Sequence, residues 1–230
     1  MPSLKHIIRF TTDAGALEKI LRLLQSIAQI LAAFAVTNEE LKLWLGLRMQ
    51  FSLGRRYFRF FKFLDCFSKG YEAFYNADGI GGILLVGKWT CLGGYMLLES
   101  STILDVLGVW PAPWAQLCVI EGHRFWFYSL LFSIGWCMMQ LFAADGNDTP
   151  VVEKSVGPSA EKRPTAVIRK KEQIIARRVL VRRLLTDVFD LFIPGHVTGW
   201  IVTALATVGL ASIVSTLLAS KEIWDSLKDK

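Results

Sequence analysis

Two stretches of this chain carry no formally charged side chain, Phe125 to Ala144 and the longer run from Leu191 to Ser220. At about 1.5 Å of rise per residue, roughly 20 helical residues match a hydrocarbon core of about 30 Å, so each run is long enough to cross a bilayer. A helix satisfies its own backbone there, and an open sheet does not. Composition agrees, because 53% of the 230 residues are apolar and mean hydropathy is +0.39, more than a water-soluble domain carries. The sequence therefore predicts an all-α integral membrane protein with amphipathic interfacial helices. Two spans are expected, near 125–144 and 196–219, and a third if the segment around Lys88 also crosses.

That segment, Asp78 to Glu99, is apolar but holds Lys88 and a run of glycines from Gly79 to Gly94. A lysine at mid-depth costs roughly 2.5 to 3.5 kcal/mol on insertion scales, so a packed hairpin and a true span are both open readings. Gly82 through Gly87-Lys88 matches the start of a phosphate-binding loop, but Trp89 stands where a magnesium-binding Ser or Thr belongs. Nucleotide binding is not expected.

The most informative segment runs from Glu39 to Ala77. Placed at about 100° per residue, Arg48, Arg55, Arg59 and Lys62 share one side of a helix, with Arg56 near its border. Leu53, Tyr57, Phe60, Phe61, Leu64 and Phe67 share the other. No acidic residue lies between Glu40 and Asp65. A cationic stripe opposite an aromatic one suits a helix lying in the headgroup plane, basic side on anionic lipid and aromatic side in the acyl chains. The expectation is one helix over Leu47 to Phe67 doing both.

Around it the chain is expected to form a single membrane-associated unit. Residues 1–77 form an amphipathic region, in which Leu17, Ile20, Leu21, Leu24, Ile27 and Leu31 give one face beside Glu18, Arg22, Gln25 and Gln29. Residues 78–144 are apolar, with Trp110, Pro111, Pro113 and Trp114 as a rigid aromatic turn before the span. Residues 145–164, with Pro150, Pro158 and Pro164, read as a flexible loop, and 165–230 as a basic juxtamembrane helix, the last span and a short tail. Gly195 and Gly199 at the start of that span have the spacing that lets helices approach closely.

The formal charge of +6 calls for a polyanion, and with no nucleic-acid-binding module visible the expected one is anionic lipid. Cys66, Cys91, Cys118 and Cys137 are isolated, without the pairing of a zinc or redox motif, and read as small apolar residues. His6, His123 and His196 lie far apart with no nucleophile beside them, so no catalytic set, metal or cofactor is expected and the chain reads as a non-enzyme. A small pore or metabolite channel is the alternative, motivated by Lys88 within an apolar stretch.

Ser52-Leu53-Gly54-Arg55-Arg56-Tyr57-Phe58-Arg59-Phe60-Phe61-Lys62-Phe63-Leu64-Asp65 resembles the basic-aromatic element of the peroxisomal biogenesis factor 11 family. Gly15-Ala16-Leu17-Glu18-Lys19 with Arg22 and Gln25 is similar to that family's opening helix, and the glycine-bearing last span with Trp224 to its C-terminus. Ala16-Leu17 intervenes where many members have an Arg directly after the glycine, and 145–164 has no counterpart. The resemblance implies a peroxisomal membrane protein with cytosolic termini that elongates and divides peroxisomes, self-associates into homo-oligomers and helps recruit a dynamin-like fission machinery.

Overall fold

The computed structural model describes residues 4–146 and 166–227, with side chains described through 143 and from 174. Most of the expected 145–164 loop and the last residues of the tail lie outside the described residues. The described residues form helices α1 (Leu4–Thr12), α2 (Ala14–Ala33), α3 (Asn38–Arg59), α4 (Lys62–Asn76), α5 (Gly79–Ser101), the single turn α6 (Ile103–Val106), α7 (Ala115–Gly146), α8 (Ala166–Asp190), the short α9 (Phe192–Thr198) and α10 (Leu205–Ser226). The fold is all-α, as the sequence predicts.

Local chemistry sets the starts. Asp13 caps α2 by accepting the Ala16 N–H at 2.9 Å. Thr37 and Glu40 form a reciprocal capping box at α3, satisfying donors the helix cannot. Pro113 precedes α7, and the aromatic turn before it is tied by the Ala112 N–H donating to Asp105 Oδ1 at 2.9 Å.

Three helices are long and apolar enough to cross a membrane: α5, α7 over Ala115–Ala143, and α10. The doubtful segment around Lys88 is thus a full-length helix packed antiparallel on α7. Its glycines make the contact possible. A Cβ on Gly81 would meet Met139 at 2.8 Å, one on Gly87 would meet the Phe132 ring at 2.9 Å, and Gly94 faces Phe125 at 3.4 Å. As one partner's number rises the other's falls, which fixes the antiparallel register. Gly82 through Lys88 is regular helix within α5, so no phosphate-binding loop exists there.

α2 runs antiparallel along α10, from Gly15 beside Ile223 to Gln29 Nε2 donating to the Leu205 carbonyl at 3.0 Å. Close approach depends on Gly209, where a Cβ would meet Ile30 at 2.6 Å. The small residues of α10, Gly209, Ala211, Ser212 and Ser215, are buried within this chain.

Gly195 and Gly199 correct an expectation. They precede the last spanning helix, which begins at Leu205 rather than near residue 196. Gly199 takes φ +76, a left-handed conformation that only glycine adopts without strain, and closes α9 as its N–H donates to the His196 carbonyl. Gly195 is buried under Ile201, whose side chain a Cβ would meet at 2.5 Å, and the Ile201 N–H donates to the Gly195 carbonyl. Within the chain the pair builds the turn that ends α9 ahead of the last spanning helix.

Candidate membrane-active surface

The segment expected as one helix over Leu47 to Phe67 is two. α3 ends at Arg59, and Phe60 and Phe61 form a turn before α4 begins at Lys62. The Phe60 carbonyl, released from regular helix pairing, accepts the Ser100 hydroxyl at 2.7 Å. Phe60 and Phe61 pack edge to face at 4.8 Å between ring centroids.

The basic side of α3 is largely covered by the rest of the chain. Arg55 and Arg59 are 8% and 9% exposed, turned into the protein against carboxylates from distant helices. Arg55 Nε donates to Glu18 Oε1 at 2.9 Å and Arg55 Nη1 to Gln25 Oε1 at 2.7 Å. Arg59 Nη2 donates to Glu99 Oε1 at 2.8 Å, and the Tyr95 hydroxyl donates to the same oxygen at 3.1 Å. Arg56 is half-buried, with its Nε 3.8 Å from Glu99 and its Nη1 donating to Thr102. Arg48 is half-buried, and its Nε meets no hydrogen-bond partner among the described residues. Of the cations expected to hold lipid, Lys62 alone stands exposed. The physical reason is pairing: a buried guanidinium is stable only with a hydrogen-bonded counter-charge, and Glu18 and Glu99 supply it.

Glu18 shows how tightly the group is coupled. Burial alone would raise its carboxyl, but Lys19, Arg55 and Arg59 together outweigh that and hold it well below the usual carboxylate range. Burial and neighbouring Arg59 push Arg55 down to about 10 in spite of Glu18. A second buried knot lies one turn along α2, where Arg22 pairs with Asp190 at the end of α8 and donates to Ser215 Oγ at 3.1 Å. Ser26 donates to Ser212 Oγ at 2.7 Å beside it.

The helix faces are therefore inverted relative to a water-soluble bundle. In α2 the inward residues are Glu18, Arg22, Ser26 and Gln29, while Leu24, Ile27 and Leu31 look outward. Apolar side chains can face out at little cost where the surroundings are lipid, and polar ones then seek one another inside.

The aromatic side is largely exposed and continues beyond Phe67. Tyr57, Phe61 and Leu64 are exposed, Phe61 by 67%. Along α4 the stripe continues through Tyr71, Phe74 and Tyr75, Phe74 being 69% exposed. Leu53 and Phe60 are half-buried. Phe67 does two things: it is 38% exposed, and its ring presses on Gly93 of α5, where a Cβ would sit 2.7 Å from it. The opposite face of α4 buries Cys66 and Gly70 against α5, where a Cβ on Gly70 would meet Thr90 Oγ1 at 3.3 Å. Its flank is mixed in charge, with Lys69 paired to Asp65 at 2.8 Å in the open.

Lys88, which motivated a pore, is buried in α5 with its ammonium 4.9 Å from the Trp89 ring centroid. Its carbonyl accepts the Ser129 hydroxyl at 2.9 Å. It is a packed residue of the α5–α7 contact. Among the described residues no group of His, Cys, Asp and Glu could hold a metal ion.

An all-helical membrane protein with three span-length helices, a charged interior and an outward aromatic stripe beside its spans is the class the fold defines. The family model for peroxisomal biogenesis factor 11 matches residues 4–224, and the chain belongs to that family. It is similar, at 25% identity over 236 aligned positions, to a peroxisomal membrane protein of Saccharomyces cerevisiae called PMP27, with 97% of this chain and 95% of that one covered. No solved structure matches it significantly. The chain is a peroxisomal membrane protein acting in peroxisome proliferation, in a family of biogenesis factors.

Proposed function

We propose that this chain elongates the peroxisomal membrane by a wedge carried on α4 and the turn before it, and thereby promotes fission. The observation that carries the proposal is the exposed stripe of Phe61, Leu64, Tyr71 and Phe74, which lies outside the three span-length helices. An amphipathic helix seated about 5 to 10 Å into one leaflet enlarges that leaflet relative to the other, and a closed membrane relieves the mismatch by curving. The spans anchor the wedge and fix its leaflet. With Arg55 and Arg59 inside, headgroup attraction at this surface falls to Lys62, about 1 kcal/mol near an anionic membrane, so apolar insertion dominates.

Many copies are needed to shape an organelle. Homo-oligomerisation and recruitment of a dynamin-like machinery, which the family resemblance implies, would concentrate the wedge and sever the tubule. No chemistry is assigned to the chain in this reading.

The test uses the full chain reconstituted into giant vesicles of phosphatidylcholine with phosphatidylserine, at rising protein-to-lipid ratio. Wild type draws tubules. The triple substitution Leu64→Ser, Tyr71→Ser, Phe74→Ser abolishes them while the melting temperature in detergent stays put, since none of these side chains is buried. Undiminished tubules from that variant would end the proposal.

A further inference from the structure

The α8 helix carries a second surface that the wedge does not use. Beside α10 it opens a groove of about 430 Å³, within the size range of small-molecule sites. Ile174, Val181, Leu185 and Leu218 line its apolar part, while Arg177, Arg178 and Arg182 bring guanidinium groups to it. Arg182 Nη1 lies 3.4 Å from Asp225 Oδ2, so a carboxylate flanks the guanidinium cluster.

Its depth can be read from α10. The charge-free run that began at Leu191 ends just before Lys221, and Leu218 is one turn inside that end. Trp224 follows, with His6 and Phe10 of α1 packed edge-on against it at 4.1 and 5.2 Å. Tryptophan and the first charges mark the level where a spanning helix leaves hydrocarbon for headgroups. α8 runs antiparallel to α10, Arg182 beside Asp225 and Asp190 beside Ser215 through Arg22, so the groove straddles that level with Leu185 and Leu218 on the hydrocarbon side, Arg178 and Arg182 at the height of lipid phosphates, and Ile174 outermost.

We propose that this groove holds one anionic phospholipid of the surrounding leaflet. The phosphate takes paired N–H donors from the Arg178 and Arg182 guanidinium groups, whose planar forks match its oxygens. One acyl chain lies along Val181, Leu185 and Leu218. A net anionic headgroup is selected over choline because a quaternary ammonium would sit against arginines. A soluble acidic peptide fits worse, since Leu185 and Leu218 lie on the hydrocarbon side of the boundary. The lipid would fasten α8 to the foot of α10, next to the buried Arg22–Asp190 pair that joins the same two helices to α2.

Native mass spectrometry of the full chain in neutral detergent tests this, with phosphatidylserine or phosphatidylcholine of identical acyl chains added. Wild type is expected to take up a single phosphatidylserine, with preference over phosphatidylcholine on the order of tenfold. Arg178→Gln with Arg182→Gln removes the preference, Arg178→Lys keeps part of it, and Leu185→Asn weakens both lipids alike. The control pair Lys42→Gln with Arg124→Gln, which removes equal charge elsewhere, leaves it intact. Preference surviving the groove pair, equal loss in the control, or glycerol 3-phosphate binding as well as the lipid would overturn the assignment. So would a dimer dissolved by Leu185→Asn with lipid preference unchanged, which would make a second copy the occupant. Tubule formation is not part of the readout, so failure here leaves the α4 wedge standing and the reverse also holds.

Discussion

α3 and α4 follow one another with a two-residue turn between them, share a basic and aromatic composition, and use it in opposite ways. α3 turns its arginines inward to Glu18 and Glu99, where they act as internal cross-links between α2, α3 and α5. α4 buries only Cys66 and Gly70 and leaves its aromatics outside. The difference follows from what each helix packs against. α3 lies on α2, whose inward face offers a carboxylate and an amide. α4 lies on α5, whose face at Trp89, Thr90 and Gly93 offers no carboxylate. Position on a helical wheel thus decides which residues share a side, and the neighbouring helix decides whether that side is inside.

The largest effect is expected of Glu18→Gln. Removing one partner of a buried ion pair leaves uncompensated guanidinium groups, and a loss of about 3 to 5 kcal/mol is expected, read by thermal unfolding in detergent. Glu18→Leu with Arg55→Leu should recover most of that loss, because an apolar pair of similar volume needs no counter-charge. The same carboxyl sets a pH dependence. Its folded-state pKa lies below the ordinary 4.5, so its contribution is fully present above that pH and is lost as pH falls below it. The wild-type melting temperature should therefore decline below pH 4.5, and the Glu18→Gln profile should be flatter there.

Next in size is Gly93→Val, which forces the Phe67 ring off α5 and should cost about 1 to 3 kcal/mol of overpacking, with Phe67 becoming more accessible to a collisional quencher. Gly199→Ala strains a left-handed position and should cost about 1 to 2 kcal/mol without changing oligomeric state by light scattering. A change of oligomeric state with stability intact would return Gly195 and Gly199 to the role of an inter-chain seam. The smallest effect is Lys62→Gln, which should weaken flotation with anionic vesicles by about 1 kcal/mol and leave the fold unchanged, whereas Arg55→Glu should unfold α3 from α2.

Much of this fold is legible in the sequence because it depends on local rules. The charge-free runs mark two of the span-length helices, and Asp13 marks the start of α2 through chemistry confined to one turn. Sequence distance hides the rest. Arg55 finds Glu18 across 37 residues and Arg59 finds Glu99 across 40, so the cationic stripe alone gives no sign that its partners wait inside. One signal was present: Glu18, Arg22, Gln25 and Gln29 form a polar stripe on α2 that invites a complementary one. The break at Phe60 and Phe61 has no glycine or proline to announce it. Gly195 and Gly199 carry the spacing of a helix seam, and only the backbone reveals that Gly199 ends a helix.

In the proposed wedge the aromatic stripe of α4 lies in lipid while the arginines of α3 lie in protein. Spin labels on single cysteines at Leu64, Asp65, Tyr71, Glu72 and Phe74, in a cysteine-free full chain reconstituted into vesicles, measure it directly. Positions 64, 71 and 74 should collide with oxygen dissolved in the bilayer, and positions 65 and 72 with a water-soluble nickel reagent. Labels at 64, 71 and 74 that meet the nickel reagent as readily as those at 65 and 72 would put the stripe in water and rule out the wedge.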